Sequence, residues 1–263
     1  MDLNSAPEPL ELDREGCLRL ADSLPDTPMT ARSIAYLRQG TAKAWIAGPV
    51  ESFRAAVIQL NPMPEEPLGF GTDAAAIFAV LQSVHGWARV EVEGPVAGML
   101  AKLVGDRMEL RTHIEEAVYY HMLQPVKVVR NQAVRVLTSA DEVLLEPTYD
   151  EFFSSGGCVP ALEAVPGEVG VDAGAVVDGR VVSFVSGYQS TARYGEMSAC
   201  TLAAYQGHGF AAAAGSIVAG YLQERGLIPI WSTEVGNPAS MRVAEKLGFV
   251  EILPRRCLVV TER

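Results

Sequence analysis

The stretch YQGHGFAAAAGSIVAG, Tyr205 to Gly220, constrains this chain more than any other. It opens a helical repeat: Phe210, Ala214, Ile217, Val218, Tyr221 and Leu222 fall on one face, and Gly226 ends it. Small residues at a helix start leave backbone N–H groups open to an anion. Two phosphate patterns overlap here. Gly207-x-Gly209-x-x-Ala212 fits a dinucleotide-binding turn, and Gln206-x-x-Gly209-x-Ala211 fits a coenzyme A pyrophosphate loop. The first needs a strand that ends at the first glycine and an acid at the end of the next strand. Glu234 has the place of that acid. However, Ala203, Ala204, Tyr205 and Gln206 separate the strand MSACTL from Gly207, and one strand–helix–strand unit follows rather than a series. The second pattern suits its surroundings. Gly207 and Gly209 remove side-chain obstruction, Ala211 and Ala212 keep the first turn thin, and the helix dipole adds about 1 kcal/mol for an exposed anion.

The elements around the loop define its fold class. AGAVV and RVVSFVSGY flank Asp178-Gly179 as a hairpin. YGEMSACTL is a strand, then the helix, then the strand LIPIWSTE. Asn237-Pro238 starts another helix, with Asn as N-cap and Pro at the first position. That helix runs to Lys246 and stops at Gly248; FVEIL and CLVVT close the chain. Residues 172–263 thus read β-β-β-α-β-α-β-β, an α+β order with a mixed, mostly antiparallel sheet flanked by helices.

Upstream, REGCLRLADSL reads as a short helix and the proline-rich NPMPEEPLGFG (61–71) as a loop. TDAAAIFAVLQSVHG is a helix capped by Thr72 or Asp73, and WARVEVEG is a strand. PVAGMLAKLVG is a helix with Gly after its end, AVYYHML is a strand, and VKVVRNQAVRVLT is strand material. SADEVLLEP opens with a capping box at Ser139 and Glu142. It leads through a helix into the connection SSGGCVPALEAVPGEVG. The chain divides into an N-terminal α/β domain, 1–130, and a second domain, 131–263. Gly71 to Gly94 and Gly209 to Gly236 share one order (loop, Ala-rich helix, strand, Gly), which raises an internal duplication.

Bulk properties narrow the function. A net charge of −11 disfavours nucleic acid and anionic membrane as partners and favours a cationic small molecule. No 18-residue apolar run marks a membrane span, and the acidic N-terminus lacks the order of a signal peptide. A cytoplasmic location is expected. Cys17, Cys158, Cys200 and Cys257 are far apart and read as reduced thiols; with four scattered histidines, no metal site is expected.

CTLAAYQGHGFA, followed some twenty-five residues later by NPASMRVAEKLGF, resembles the GNAT superfamily of acyl-CoA-dependent N-acetyltransferases. Gln206, Gly209 and Ala211 match its [Q/R]-x-x-G-x-[G/A] loop, and Asn237 with Lys246–Phe249 matches its Asn-led helix. The resemblance covers roughly residues 140–255, and the N-terminal half fits a degenerate unit of the same kind. That half lacks the loop pattern, and Glu65 and Glu66 would repel a phosphate, so one cofactor site per chain is expected.

The resemblance implies acetyl-CoA as cosubstrate and a small-molecule amine as acceptor. Ala199, Cys200 and Thr201 would bond the pantetheine arm as an added strand would. Gln206, Gly207, His208, Gly209, Phe210, Ala211 and Ala212 would wrap the pyrophosphate. Asn237, also a helix N-cap, would face the pantetheine. Glu196 and Glu234 are candidate bases for deprotonating the amine, and either also fits a surface strand-end carboxylate. Tyr188 and Trp231 could line the acceptor pocket. Many family members carry a tyrosine seven residues after the Asn to protonate the departing thiolate; Ala244 stands here instead. Ser240 or a water could serve, or the thiolate could leave unassisted. Two alternatives stay open: a GNAT-like protein that binds acyl-CoA or a ligand without turnover, and an enzyme acting on protein amines. The chain is expected to be a monomer or a homodimer.

Overall fold

A computed structural model describes residues 9–156, 170–252 and 255–261. The connection 157–169, with Cys158, lies outside them. Contacts divide the chain into two compact units. The first holds residues up to Tyr119 together with Glu234–Gly236 and Leu253–Arg263; the second holds Tyr120–Thr233 and Asn237–Ile252.

The first unit runs β1 (Leu10–Glu11), α1 (Arg14–Ser23), α2 (Ala31–Gln39), β2 (Ala42–Ala47), β3 (Ala55–Leu60), β4 (Met63–Phe70), α3 (Ala74–Leu81), β5 (Arg89–Glu93), α4 (Gly94–Met108) and β6 (Arg111–His121), whose last two residues enter the second unit. The second continues with β7 (Val134–Leu137), α5 (Glu142–Leu145), α6 (Tyr149–Gly156), β8 (Gly170–Val177), β9 (Arg180–Gln189), β10 (Tyr194–Thr201), α7 (Phe210–Glu224), β11 (Ile228–Glu234), α8 (Pro238–Leu247) and β12 (Val250–Glu251). The closing strand β13 (Arg255–Thr261) pairs antiparallel with β5 and β6 in the first unit.

Period-two alternation builds the first core. Trp45, Ala47 and Val57 face Ile77, Val80, Leu100 and Val104 of α3 and α4. The intervening Ala44, Ile46 and Ile58 face Leu20, Ile34 and Leu37 of α1 and α2. Every pairing in this sheet is antiparallel except β4 with β5, which meet at Leu68 and Glu91. The expected loop 61–71 is therefore largely strand. Its prolines are tolerated because the β3–β4 register shifts between Ile58 and Leu60, so Pro64 and Pro67 avoid regular ladder positions. The carbonyl of Pro64 instead accepts from Gln59 Nε2 at 2.6 Å.

Other boundaries also move. α4 runs past Gly105 to Met108, with Glu109 as its C-cap at φ 56°. The strand material of 124–136 reduces to β7. The capping box falls one residue early, on Thr138 and Asp141, because Arg135 fixes the Asp141 carboxylate at 2.6 and 2.8 Å. The Arg135 hydrogen bonds hold that carboxyl down to about 2, below an ordinary 3.8. A depressed carboxyl contributes stability that is complete above its unfolded value and is lost as pH falls through the folded one. Asp141→Asn is expected to lower Tm at neutral pH, and its gap to wild type should close as the pH is taken from about 5 to about 2. A gap independent of pH would count against the carboxylate as the cause.

From β8 to β13 the chain bears out the expected order of elements, the last strand belonging to the first unit. Asp178 and Gly179 make the hairpin turn at φ 49° and 73°. The sheet order is β11-β10-β9-β8-β7, with β10–β11 parallel and the rest antiparallel. α7 lies tight on this sheet: a Cβ at Gly187 would stand 2.3 Å from Val218 and one at Gly195 2.7 Å from Leu222. On the opposite face Phe152 of α6 meets Phe184 edge-on at 5.0 Å. Among the described residues, no helix is long and apolar enough to cross a membrane.

Candidate active site

β10 and β11 pair at Tyr194–Ile228, Gly195–Pro229 and Glu196–Ile230. The strands part there, and a cleft of about 320 Å³ opens between them. β10 lines it with Ala199, Cys200 and Thr201, and β11 with Trp231. The connection to α7 contributes Tyr205 to Gly207 and Gly209, and α7 contributes Phe210, Ala211 and Ala212. α8 closes the other side with Asn237, Ser240, Arg242 and Lys246.

The mouth is suited to an anion. Gly209 is the N-cap of α7 at φ 76°, and no side chain caps the helix. Gly207, at φ 81°, shapes the same loop. Nothing stands within 4 Å of a Cβ at either position, so the left-handed backbone rather than close packing asks for glycine. Thr201 is fixed by a 2.7 Å bond to Ser183, Gln206 Nε2 donates to Thr201 O at 3.4 Å, and Tyr205 OH accepts from Arg180 at 3.2 Å.

The structure thus gathers Ala199, Cys200, Thr201, Gln206, Gly207, Gly209, Phe210, Ala211, Ala212, Asn237 and Ser240 in one cleft. His208 is not in its lining. It is exposed, its ring stacks on Phe210, and Nδ1 lies 3.1 and 3.0 Å from the carbonyls of Tyr205 and Gln206. Sequence reasoning missed Arg242 and Lys246. Their signal was available: Ala239, Arg242, Val243 and Lys246 recur at helical spacing behind the Asn237 cap.

Neither candidate base lines the cleft. Gly195 packs on α7, so alternation turns Glu196 to the opposite face of β10, and the β9–β10 ladder from Gly195 to Thr201 is unbroken. Glu196 is 9% exposed and accepts from Tyr188 OH at 3.2 Å. On the same face, burial raises the Asp172 carboxyl, which accepts from Ser186. Glu234 belongs to the first unit. There it pairs with Arg89, which also meets Glu115 at 3.1 Å and Glu66 at 3.3 Å. Burial pushes the neighbouring Cys257 thiol up to about 11. No group of three or more His, Cys, Asp or Glu among the described residues could hold a metal.

The first unit fills the corresponding places with its own side chains. Asp73 caps α3, accepting from the N–H groups of Ala75 and Ala76 at 3.0 and 3.1 Å, and Arg54 binds its other oxygen at 2.6 Å. Arg255 enters where β4 and β5 part, donating to Gly69 O at 2.9 Å and Glu91 O at 3.0 Å. Glu65 and Glu66, expected to repel a phosphate, lie instead on β4.

A parallel strand pair thus parts beside a helix that starts at a glycine. Residues 169–254 match the family model GNAT acetyltransferase. No curated protein matches the sequence. Among solved structures, the chain is similar to a GCN5-related N-acetyltransferase-like protein from Streptococcus suis, with 17% identity, 94% of this chain and 99% of that one covered, and a TM-score of 0.63. A GCN5-related N-acetyltransferase from Sphaerobacter thermophilus gives 14% identity, 97% and 96% coverage and a TM-score of 0.59. A tandem GNAT protein from the clavulanic acid biosynthesis pathway gives 13%, 96% and 98%, and 0.55. These are likenesses of fold. They extend over both halves, which supports the reading of the N-terminal half as a second GNAT-like unit.

Proposed function

We propose that the chain transfers an acetyl group from acetyl-CoA to the primary amine of a small molecule by direct attack. The observation that carries this reading is the cleft between β10 and β11, with an uncapped helix N-terminus at its mouth. Its residues fit the group. Gln206 to Ala212 would hold the pyrophosphate against backbone N–H groups, aided by the charges of Arg242 and Lys246. Ala199 to Thr201 and Asn237 would hold the pantetheine arm. When bound, acetyl-CoA supplies the activated acyl group.

Glu196 is the base we assign, acting directly or through a water. It lies at the point where β10 leaves β11, and Tyr188 orients it. The Glu234 carboxylate is already engaged by Arg89. The net charge of −11 favours a cationic acceptor. The cytoplasm is the compartment we read for it, since Cys17 and Cys257 are free thiols. Binding without turnover is the second reading, supported by Ala244, which has no hydroxyl and is fully buried.

Thiol release from acetyl-CoA against a panel of amino acids, polyamines and aminoglycosides tests transfer directly. Glu196→Gln is expected to lower kcat about a hundredfold at unchanged acetyl-CoA affinity. A wild-type rate in that variant would remove Glu196 from the role. A chain that binds acetyl-CoA but releases no thiol with any amine would favour the second reading.

A further inference from the structure

We propose that Trp231 positions the Ser240 hydroxyl to donate a hydrogen bond to the departing thiolate, the task for which residue 244 offers no group. The inference rests on the acetyl-transfer reading. Its starting point is one contact inside the cleft: Trp231 Nε1–H donates to Ser240 Oγ at 3.0 Å. An indole N–H can only donate. Ser240 Oγ therefore accepts on that side, and its own proton must point elsewhere. Among the described residues no hydrogen bond uses that proton, and both residues line the cleft.

Both partners are held. Trp231 is 3% exposed and its ring lies 6.0 Å from that of Phe249. The Ser240 N–H donates to Asn237 Oδ1 at 3.1 Å, which fixes the first turn of α8. That turn is the positive end of the helix dipole, where a thiolate is favoured. The Asn237 cap, Ser240 and Trp231 therefore form one chain of donors and acceptors whose unassigned end is a hydroxyl proton in the cleft.

The chemistry balances. The amine nitrogen forms a bond to the acyl carbon, the C–S bond breaks, and its electron pair goes to sulfur. The proton shed by the amine goes to Glu196. A hydroxyl is a weaker acid than a thiol, so Ser240 keeps its proton: it stabilises the thiolate while the C–S bond breaks, and solvent then protonates the sulfur. Trp231 touches no reacting atom and acts through Ser240.

Two measurements test this. The first is the affinity of free coenzyme A as a function of pH, by calorimetry. A donor that favours the thiolate tightens binding as pH rises through the thiol's titration. Wild type is expected to show this slope, Ser240→Ala and Trp231→Phe to flatten it, and desulfo-coenzyme A to show none. The second is kinetic. Trp231→Phe is expected to lower kcat about tenfold at unchanged KM for acetyl-CoA, and Ser240→Ala at least as much. Ser240→Thr should retain the rate, and Trp231→Phe with Ser240→Ala should be no slower than Ser240→Ala alone. A wild-type kcat and pH slope in Trp231→Phe, or losses that add in the double variant, would overturn the inference. If wild type neither binds coenzyme A nor releases thiol from acetyl-CoA, the transfer reading itself fails.

Discussion

Gly209→Asp is expected to weaken acetyl-CoA binding about a thousandfold while changing Tm by only a few degrees. The reason lies in the contrast between the two helix starts. Asp73 caps α3 in the first unit with its own carboxylate, whereas Gly209 leaves the start of α7 bare. Nothing stands within 4 Å of a Cβ at Gly209, and Asp is among the residues that tolerate its left-handed backbone. The backbone cost is about 1 kcal/mol. The ligand meets something different. A carboxylate about 4 Å from a phosphate charge costs about 4 kcal/mol at an effective dielectric of 20, close to three decades in Kd. Calorimetry with acetyl-CoA, beside a thermal melt, reads both quantities. Wild type is expected to bind one equivalent per chain, and Gly209→Asn, of the same shape without the charge, should lose far less. Wild-type affinity in Gly209→Asp would mean that the pyrophosphate lies elsewhere.

The second large effect concerns stability. Arg255→Ala is expected to cost about 3–5 kcal/mol, the usual cost of stripping one partner from a buried ion pair. The Arg255 side chain is 2% exposed, with Nε 2.8 Å from Glu91 Oε1 and its guanidinium 4.9 Å above the centre of the Phe70 ring. Its removal strands the Glu91 carboxylate, 17% exposed, with Tyr119 as a remaining donor at 2.8 Å. It also leaves the carbonyls of Gly69 and Glu91 short of a partner. Burial, reinforced by Glu91, already raises the Tyr119 phenol, so this hydroxyl stays protonated and able to donate. Arg255→Lys should recover part of the loss, because an ammonium cannot reproduce the fork that reaches two strands. Urea unfolding measures both variants, and a loss below about 1 kcal/mol for Arg255→Ala would show that the pair carries no net stability.

The glycine loop before α7 was legible because its signals are local. Positive φ at Gly207 and Gly209, the small first turn of α7, and the Asn237-Pro238 start of α8 are demands of the backbone on single residues. The hairpin at Asp178-Gly179 was legible for the same reason. Proline misled the reading at 61–71: it argues against a regular ladder, and a register shift made the ladder irregular. The capping box shifted because Arg135, not the local sequence motif, selected the acid.

By itself, the sequence determined the order of elements in the second unit and the glycine turn that starts α7, since periodicity, caps and turns act over a few residues. Tertiary structure alone decided three further things. It turned Arg242 and Lys246 into the cleft, it engaged Glu234 with Arg89 in the first unit, and it set Trp231 against Ser240. The physical reason is distance along the chain. Arg89 and Glu234 are 145 residues apart, and Arg255 and Gly69 are 186 apart. No local pattern encodes such pairs; they arise when strands far apart in sequence are brought together by burying both faces of a sheet.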